Sequence, residues 1–151
     1  MHPPRRGFLR LLGAGAMLAA SGPLAAATAT PRLVFHPVAS LAELERALKK
    51  ADGRPTILWV RADWSISCKE MEQTTFTEPA VIEALADTVC LVADVTEHND
   101  HDKALLDRFG VFGPPTFLLF DRDGERLDGH DIIGYLPAGK FMALIETAFN
   151  S

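Results

Sequence analysis

Two continuous apolar runs, TILWVRA at 56–62 and TVCLVADV at 88–95, constrain the fold more than any other feature of the chain. Both are rich in residues that favour β-strands. Neither alternates apolar with polar residues, which is typical of a strand that is buried on both faces. Such strands need helices above and below them, and the segments that separate the runs should supply these helices.

Helical patterns alternate with the strands. In SLAELERALKKADG (40–53), Ser40 and Glu43 form a capping box and the leucines share one face. Further helices are predicted at SCKEMEQTTF, EPAVIEALAD, NDHDKALLDRFG and PAGKFMALIETAFN. In the last of these, the side chains predicted to face inward are Phe141, Leu144, Ile145 and Ala148.

The remaining strand signals complete the order of elements. A first strand is predicted at 32–38, and PTFLLFD and RLDGHDIIGY are predicted to form two strands joined by a tight turn at RDGE. The resulting order is βαβαβαββα. It predicts an α/β fold in which a central mixed β-sheet is flanked by helices on both faces.

Residues 1–29 have the three-part layout of a secretory signal, with arginines, an apolar run and small residues at its end. The alternative is an uncleaved anchor, but the run is shorter than the roughly 20 residues that a membrane span needs. Arg5-Arg6 resembles a twin-arginine signal, although Pro4 stands where that pattern has Ser or Thr, so the general secretory route stays open as well. We predict a signal peptide at 1–29 and a single domain at 30–151, periplasmic or otherwise exported.

The predicted domain is acidic. The whole chain carries a net charge of −5, and because the leader holds three arginines and no acidic residue, the domain carries −8. This charge excludes an electrostatic footprint for nucleic acid. The domain has no basic amphipathic face, so we expect it not to bind a membrane surface once the signal is cleaved. We expect a monomer.

The stretch RADWSISCKEMEQTTF (61–76) carries the chemistry. Trp64, Ser65 and Cys68 have the spacing of a W-C-x-x-C redox site whose first cysteine is replaced by serine. A hydroxyl has a far higher pKa than a thiol and nothing is placed to activate it, so Ser65 cannot perform disulfide exchange. Its expected role is that of a helix N-cap.

The chain resembles the thioredoxin-like family, and within it the C-terminal thioredoxin-like domain of the thiol:disulfide interchange protein DsbD. The segments that carry the likeness are LAELERALKKADGRPTILWVRADW, CKEMEQTTFTEPAVIEALADTV, ADVTEHNDHDKALLDRFGVFGPPTFLLFDRDG and IIGYLPAGKFMALI, which cover nearly all of 30–151. The resemblance implies a thioredoxin-like fold and a part in thiol–disulfide chemistry. It also implies that Pro115 follows a cis peptide bond, and that Trp64, Pro115 and Thr116 contact a bound peptide.

The chain departs from this family pattern at two positions. Ser65 replaces the attacking cysteine, and Trp59 stands where family members commonly have a buried carboxylate that handles a proton. Glu72 matches an acidic residue that the family keeps near its site, so it is a candidate proton acceptor. These departures predict that the two-sulfur cycle is lost.

Two functions stay open from the sequence. In the first, Cys68 acts as a single thiol on a protein or on a small thiol or disulfide partner. In the second, the chain is a non-catalytic binding module that holds a peptide or partner protein in the groove near Trp64 and Pro115. The alternative to a working thiol is that Cys68 is an inert, semi-buried cysteine. The sequence therefore leaves enzymatic activity open.

Other candidate residues are assigned structural roles. Cys90 lies near the start of its strand, away from Cys68, and is expected to be a core residue without a disulfide. The loop DVTEHNDHD (94–102) contains histidines and carboxylates, but it is expected to be a solvated loop that caps the next helix. We expect no metal and no cofactor.

Overall fold

The computed structural model describes residues 31–151, and the predicted signal peptide lies outside them. Along the chain the elements are β1 (His36–Pro37), α1 (Leu41–Lys50), β2 (Thr56–Arg61), α2 (Ile66–Gln73), a 3₁₀ turn (Thr75–Thr77), α3 (Pro79–Ala84), β3 (Val89–Asp94), α4 (Asp100–Phe109), β4 (Thr116–Phe120), β5 (Ile132–Ile133) and α5 (Ala138–Phe149). None of the helices in this part of the chain is long and apolar enough to cross a membrane.

The strands form one mixed sheet in the order β1-β3-β2-β4-β5. β1, β3 and β2 are parallel, whereas β4 is antiparallel to β2 and β5 is antiparallel to β4. The carboxyl ends of β2 and β3 therefore lie at the same edge of the sheet as the start of β4. The predicted mixed sheet is confirmed.

The sheet is buried on both faces, as the apolar runs predict. In β2, Ile57 and Trp59 face a layer of core side chains that includes residues of α2, α3 and α5. Leu58 and Val60 face the opposite layer, which includes residues of α1 and α4. Alternation of side chains along a strand explains why one apolar run serves two layers.

The hairpin prediction is only partly right. After β4 the chain makes the expected tight turn, in which the Asp121 N–H donates to the Glu125 carbonyl at 2.8 Å and the Leu127 N–H donates to the Leu119 carbonyl at 2.8 Å. The chain then leaves the strand direction at Gly129, whose φ of +81° suits glycine. Only two residues, β5, pair again with β4.

Two other predictions need correction. The first strand covers His36–Pro37 instead of 32–38, because the Leu33 N–H donates to the Phe76 carbonyl at 3.0 Å and the segment packs against the 3₁₀ turn rather than the sheet. In α5, Phe141, Ile145 and Ala148 are buried as predicted, but Leu144 is 47% exposed. Its position lies at the margin of a narrow inward stripe.

Candidate functional site

Ser65 begins α2 at the edge of the sheet where β2 ends. Its backbone is extended, with φ −86° and ψ 113°, and its hydroxyl oxygen accepts the Cys68 N–H at 3.3 Å. The Ser65 N–H donates to the Ala62 carbonyl at 3.1 Å. A serine here satisfies a helix N–H that has no partner within the helix. The predicted N-cap role of Ser65 is confirmed.

Cys68 lies in the first turn of α2 and faces the core. Its relative exposure is 0%, whereas that of Ser65 is 7%, so Cys68 is the deeper residue. It shares a layer of buried side chains with Trp59, Met71 and Phe76. The thiol is free. Because Cys68 is fully buried, a partner sulfur cannot reach its thiol in this structure.

Trp59 fills the position at which related proteins are expected to carry a carboxylate. Its ring centroid lies 4.9 Å from that of Phe76 and 5.0 Å from that of Phe35, and it stacks on Phe117 at 6.2 Å. Its indole N–H is buried and has no hydrogen-bond partner within residues 31–151. The layer behind Cys68 is thus aromatic, and Trp59 cannot take up a proton.

Arg61, at the end of β2, forms ion pairs with three carboxylates. Its guanidinium lies 3.3 Å from Glu72, 2.7 Å from Asp63 and 2.5 Å from Asp94. We call these four residues the Arg61 cluster. Glu72, the candidate proton acceptor, thus forms an ion pair with Arg61 at the surface of the site. Sequence reasoning missed Arg61, because its partners lie up to 33 positions away along the chain.

Charges in the Arg61 cluster stabilise each other. Burial by itself lowers the pKa of Arg61, but the hydrogen bond with Asp63 and the surrounding carboxylate charges raise this pKa on balance. Burial likewise raises the pKa of Asp94, but hydrogen bonds from Thr96 and the charge of Arg61 outweigh it and lower the pKa. Both groups are therefore held in their charged forms.

The segment before β4 forms the other side of the site. The Pro114–Pro115 peptide bond is cis, and Pro115 is buried. The Thr116 hydroxyl donates to the Gly113 carbonyl at 2.6 Å, and the Thr116 side chain is buried. Thr116 therefore braces the loop and does not present its own side chain to a partner. Trp64, by contrast, is 64% exposed.

Exposed apolar side chains cluster at this edge of the sheet. Trp64 and Ile66 flank Ser65, Phe112 precedes the prolines, and Ile133 pairs across the sheet with the first residue of β4. All four are exposed, and we call them the apolar face. Sequence reasoning found only Trp64, although a phenylalanine in a loop between two glycines and an Ile-Ile pair on an edge strand are signals that could have indicated the others.

The remaining candidates have structural roles. Cys90 is buried near the start of β3, where burial raises the pKa of its thiol to about 12, and it forms no disulfide. In the loop after β3, the Asn99 side chain accepts the Asp102 N–H at 3.0 Å and the Asp102 carboxylate accepts the Asn99 N–H at 3.0 Å. This capping box begins α4, as the sequence predicted for the loop. Residues 31–151 contain no group of three or more potential ligands arranged for a metal ion.

Comparison with known proteins shows which family shares this architecture. A family model described as a thioredoxin-like domain matches residues 42–149. The thiol:disulfide interchange protein DsbD of Ralstonia nicotianae is 43% identical over 121 residues, which are 79% of this chain and 20% of that protein. DsbD of Salmonella paratyphi A is 42% identical over 117 residues, 78% of this chain and 21% of that protein. The chain thus spans about one fifth of the length of these relatives.

Solved structures extend the comparison. The oxidised C-terminal domain of Neisseria meningitidis DsbD has a TM-score of 0.63 and 32% identity, with coverage of 76% of this chain and 99% of that one. Its reduced form has a TM-score of 0.59 and 35% identity, with coverage of 71% and 91%. A thioredoxin of Fasciola hepatica, 20% identical with a TM-score of 0.60, shares the fold. The chain therefore belongs to the thioredoxin-like family, in which it is related to the C-terminal domain of DsbD.

Proposed function

We propose that this chain is an exported thioredoxin-like protein of thiol–disulfide metabolism, and that it acts through the single thiol of Cys68. The observation that carries the proposal is the place of Cys68 in the first turn of α2, four residues after the exposed Trp64. A helix N-terminus stabilises a thiolate through its dipole and free N–H groups. The related DsbD domain has been solved in oxidised and reduced forms, which supports a part in thiol–disulfide chemistry for this chain.

The chemistry follows from having one thiol in this helix. The Cys68 thiolate attacks one sulfur of a partner disulfide, a new S–S bond forms, and the other partner sulfur leaves as a thiolate. In a dithiol site the other cysteine of the pair is available to complete the exchange within the protein, but here that other position is Ser65, which has no sulfur. A second thiol from solution must release the protein, and it takes the partner sulfur into a new disulfide while Cys68 is reduced again.

Burial of Cys68 sets a condition on this reaction. The thiol is fully covered, so the turn from Ser65 to Cys68 must open before a partner sulfur can reach it. Local opening of a helix end costs less than global unfolding, because few buried contacts are lost there. Ile66 in this turn is exposed, and opening of the turn would break the hydrogen bond between the Cys68 N–H and the Ser65 hydroxyl.

A mixed-disulfide experiment tests the proposal. The folded protein is incubated with glutathione disulfide, and intact mass spectrometry measures the adduct. We expect one glutathione per chain, retained in Cys90→Val and lost in Cys68→Ser. A folded protein that forms no adduct, or that forms the adduct only on Cys90, would rule out the monothiol function.

A second candidate function has an observation of its own. The only thiol of α2 is covered and the Ser65 oxygen is engaged, whereas the apolar face lies open to solvent. This arrangement favours a binding module that holds a partner without covalent chemistry. The module predicts that partner binding survives Cys68→Ala, and loss of binding in that variant would count against it.

Export is part of the same proposal. The N-terminal segment 1–29 carries the layout of a secretory signal, and its Arg5-Arg6 pair is compatible with the twin-arginine route. We expect the protein to accumulate in the periplasm of its host with its N-terminus near residue 30. N-terminal sequencing of protein from a periplasmic extract measures this, and an intact leader on the extracted chain would contradict it.

A further inference from the structure

The apolar face is bordered on one side by an excess of carboxylates. In the Arg61 cluster three carboxylates share one guanidinium, and all three are exposed in large part. The Asp63 N–H donates to the Thr96 hydroxyl at 2.8 Å, which brings the loop with the exposed residue Glu97 to the same border. Two further cations lie near this border: Lys69, exposed on α2, and exposed Arg32, which lines a hollow together with Glu72.

The opposite border repeats the pattern. Asp131 and Asp128 share Arg126, at 2.6 Å and 3.4 Å. Asp131 also lines a small hollow of about 80 Å³ together with Phe112 and Ile133 of the apolar face. The two borders together carry six carboxylates against four cations, Arg61, Lys69, Arg32 and Arg126, so the rim has a net negative charge.

The prolines of the loop before β4 offer one free acceptor, the Pro114 carbonyl, and no backbone donor. Pro114 and Pro115 have no N–H. The Gly113 carbonyl is occupied by the Thr116 hydroxyl and the Pro115 carbonyl by the Gly134 N–H at 2.9 Å. The Pro114 carbonyl accepts no hydrogen bond from residues 31–151. A segment that lies along this loop must therefore supply donors.

We propose that the apolar face binds an extended polypeptide segment in which apolar side chains are flanked by lysine or arginine. This inference rests on the proposed function, because it names the class of partner that the site receives. Basic side chains complement the carboxylate rim and supply donors, and a charge-complementary rim selects partners mainly through the association rate. A second copy of this chain is disfavoured as occupant, since two acidic rims would repel each other.

Two cysteine-free synthetic peptides test the inference. They share an apolar centre of valine and phenylalanine, and one carries lysines while the other carries glutamates at the flanks. Binding is measured through the fluorescence of exposed Trp64, in Cys68→Ala so that no covalent step contributes. We expect the lysine peptide to bind at least about tenfold more tightly, since exposed pairs contribute up to roughly 1 kcal/mol each. The difference should collapse at about 1 M salt, where the Debye length is about 3 Å.

Matched variants locate the effect. Asp63→Asn/Glu97→Gln removes two charges from the rim, and Glu83→Gln/Glu146→Gln removes two exposed charges from α3 and α5. We expect only the rim variant to lose the preference for the lysine peptide. Equal binding of both peptides, no binding of either, the same loss in both variants, or a dimer in sedimentation experiments that covers Trp64 would each overturn the inference.

The outcomes separate this inference from the proposed function. If the lysine peptide binds selectively but Cys68 forms no mixed disulfide, the docking inference holds and the monothiol function fails. If Cys68 forms the mixed disulfide but the peptides bind equally, the monothiol function holds and the charge selection fails.

Discussion

Ser65 supports the helix but cannot take part in disulfide exchange, unlike a cysteine at the same position. Its oxygen caps α2 by accepting the Cys68 N–H, and its hydroxyl cannot attack a disulfide. Serine is among the best N-cap residues. The replacement of sulfur by oxygen therefore secures the helix that carries Cys68 while it removes the first step of a dithiol cycle.

Removing this cap should destabilise the protein by a predictable amount. Ser65→Ala is expected to lower the free energy of unfolding by about 1 kcal/mol, because the Cys68 N–H loses its acceptor. Ser40→Ala is the matched control, since Ser40 caps α1 by accepting the Glu43 N–H at the same distance of 3.3 Å. Urea denaturation measures both. A Ser65→Ala variant as stable as the wild type would show that the cap contributes nothing.

Restoring the sulfur should restore part of the chemistry. Ser65→Cys places two thiols one helical turn apart, within the separation that a disulfide allows. We expect loss of two hydrogens by mass spectrometry under mild oxidation, and reduction of insulin disulfides above the wild-type level, limited by the aromatic Trp59 behind Cys68. Ser67→Cys is the control, because its position in the helix points away from the site. Failure of Ser65→Cys to form the internal disulfide would contradict the assignment of this position.

At the scale of elements, the Arg61 cluster ties β2, β3 and α2 together at the edge where the site lies. Arg61 leaves β2, Asp94 ends β3, and Glu72 lies on α2. One guanidinium thus connects the ends of two strands with the helix that contains Cys68. These ion pairs therefore help to fix the positions of the strand ends and the helix that form the site.

Arg61→Gln should weaken this junction in a pH-dependent way. The pKa of Asp94 is lowered in the folded protein, so its contribution to stability is present above the ordinary Asp pKa of about 3.9 and is lost as the pH falls through the folded pKa. We expect the variant to lose about 1 kcal/mol or less near neutral pH, because the pairs are partly exposed, and to approach the wild type in acid. Arg46→Gln, on the exposed side of α1, is the control. A stability difference that persists unchanged in acid would contradict the ionic origin.

Elements differ in how well the sequence predicts them, and burial explains the difference. β2 and β3 were predicted to within one residue at each end, because both of their faces are covered and the apolar runs mark them directly. β5 was overestimated, because its pairing depends on where Gly129 turns the chain and no local pattern records that. The inward face of α5 was right except for Leu144, which lies at the margin of the buried stripe.

The site shows the same division between local and distant causes. The N-cap role of Ser65 depends on residues three positions apart, so the sequence predicts it. The ion pair of Glu72 with Arg61 and the exposure of Phe112 depend on how distant segments meet, so only the structure reveals them. The relation of this chain to the DsbD domain was predicted from motifs that the comparisons confirm.

At the scale of the whole molecule, the sheet separates two buried layers, and both cysteines lie in the same one. Cys68 is in the first turn of α2, and Cys90 is near the start of β3. Neither thiol reaches solvent in the closed structure. Global unfolding exposes both, whereas opening of the first turn of α2 exposes only Cys68.

Alkaline pH should destabilise the fold through Cys90. In the unfolded chain this thiol ionises above a pKa of about 8.5, but in the folded protein burial raises its pKa to about 12. Stability that is complete below the unfolded pKa is therefore lost as the pH rises, by up to about 1.4 kcal/mol per pH unit. Cys90→Val should flatten this part of the pH profile in urea denaturation. Parallel profiles for variant and wild type would contradict the raised pKa.

Alkylation kinetics of the two cysteines in the wild-type protein test the monothiol function most directly. Iodoacetamide is added in native buffer, and peptide mass spectrometry follows the labelling of each thiol, with Cys90 as the internal reference for global unfolding. The account predicts that Cys68 is labelled much faster than Cys90, through opening of the first turn of α2. Labelling of both at the same slow rate, or of Cys68 only after denaturation, would show that Cys68 is not a working thiol.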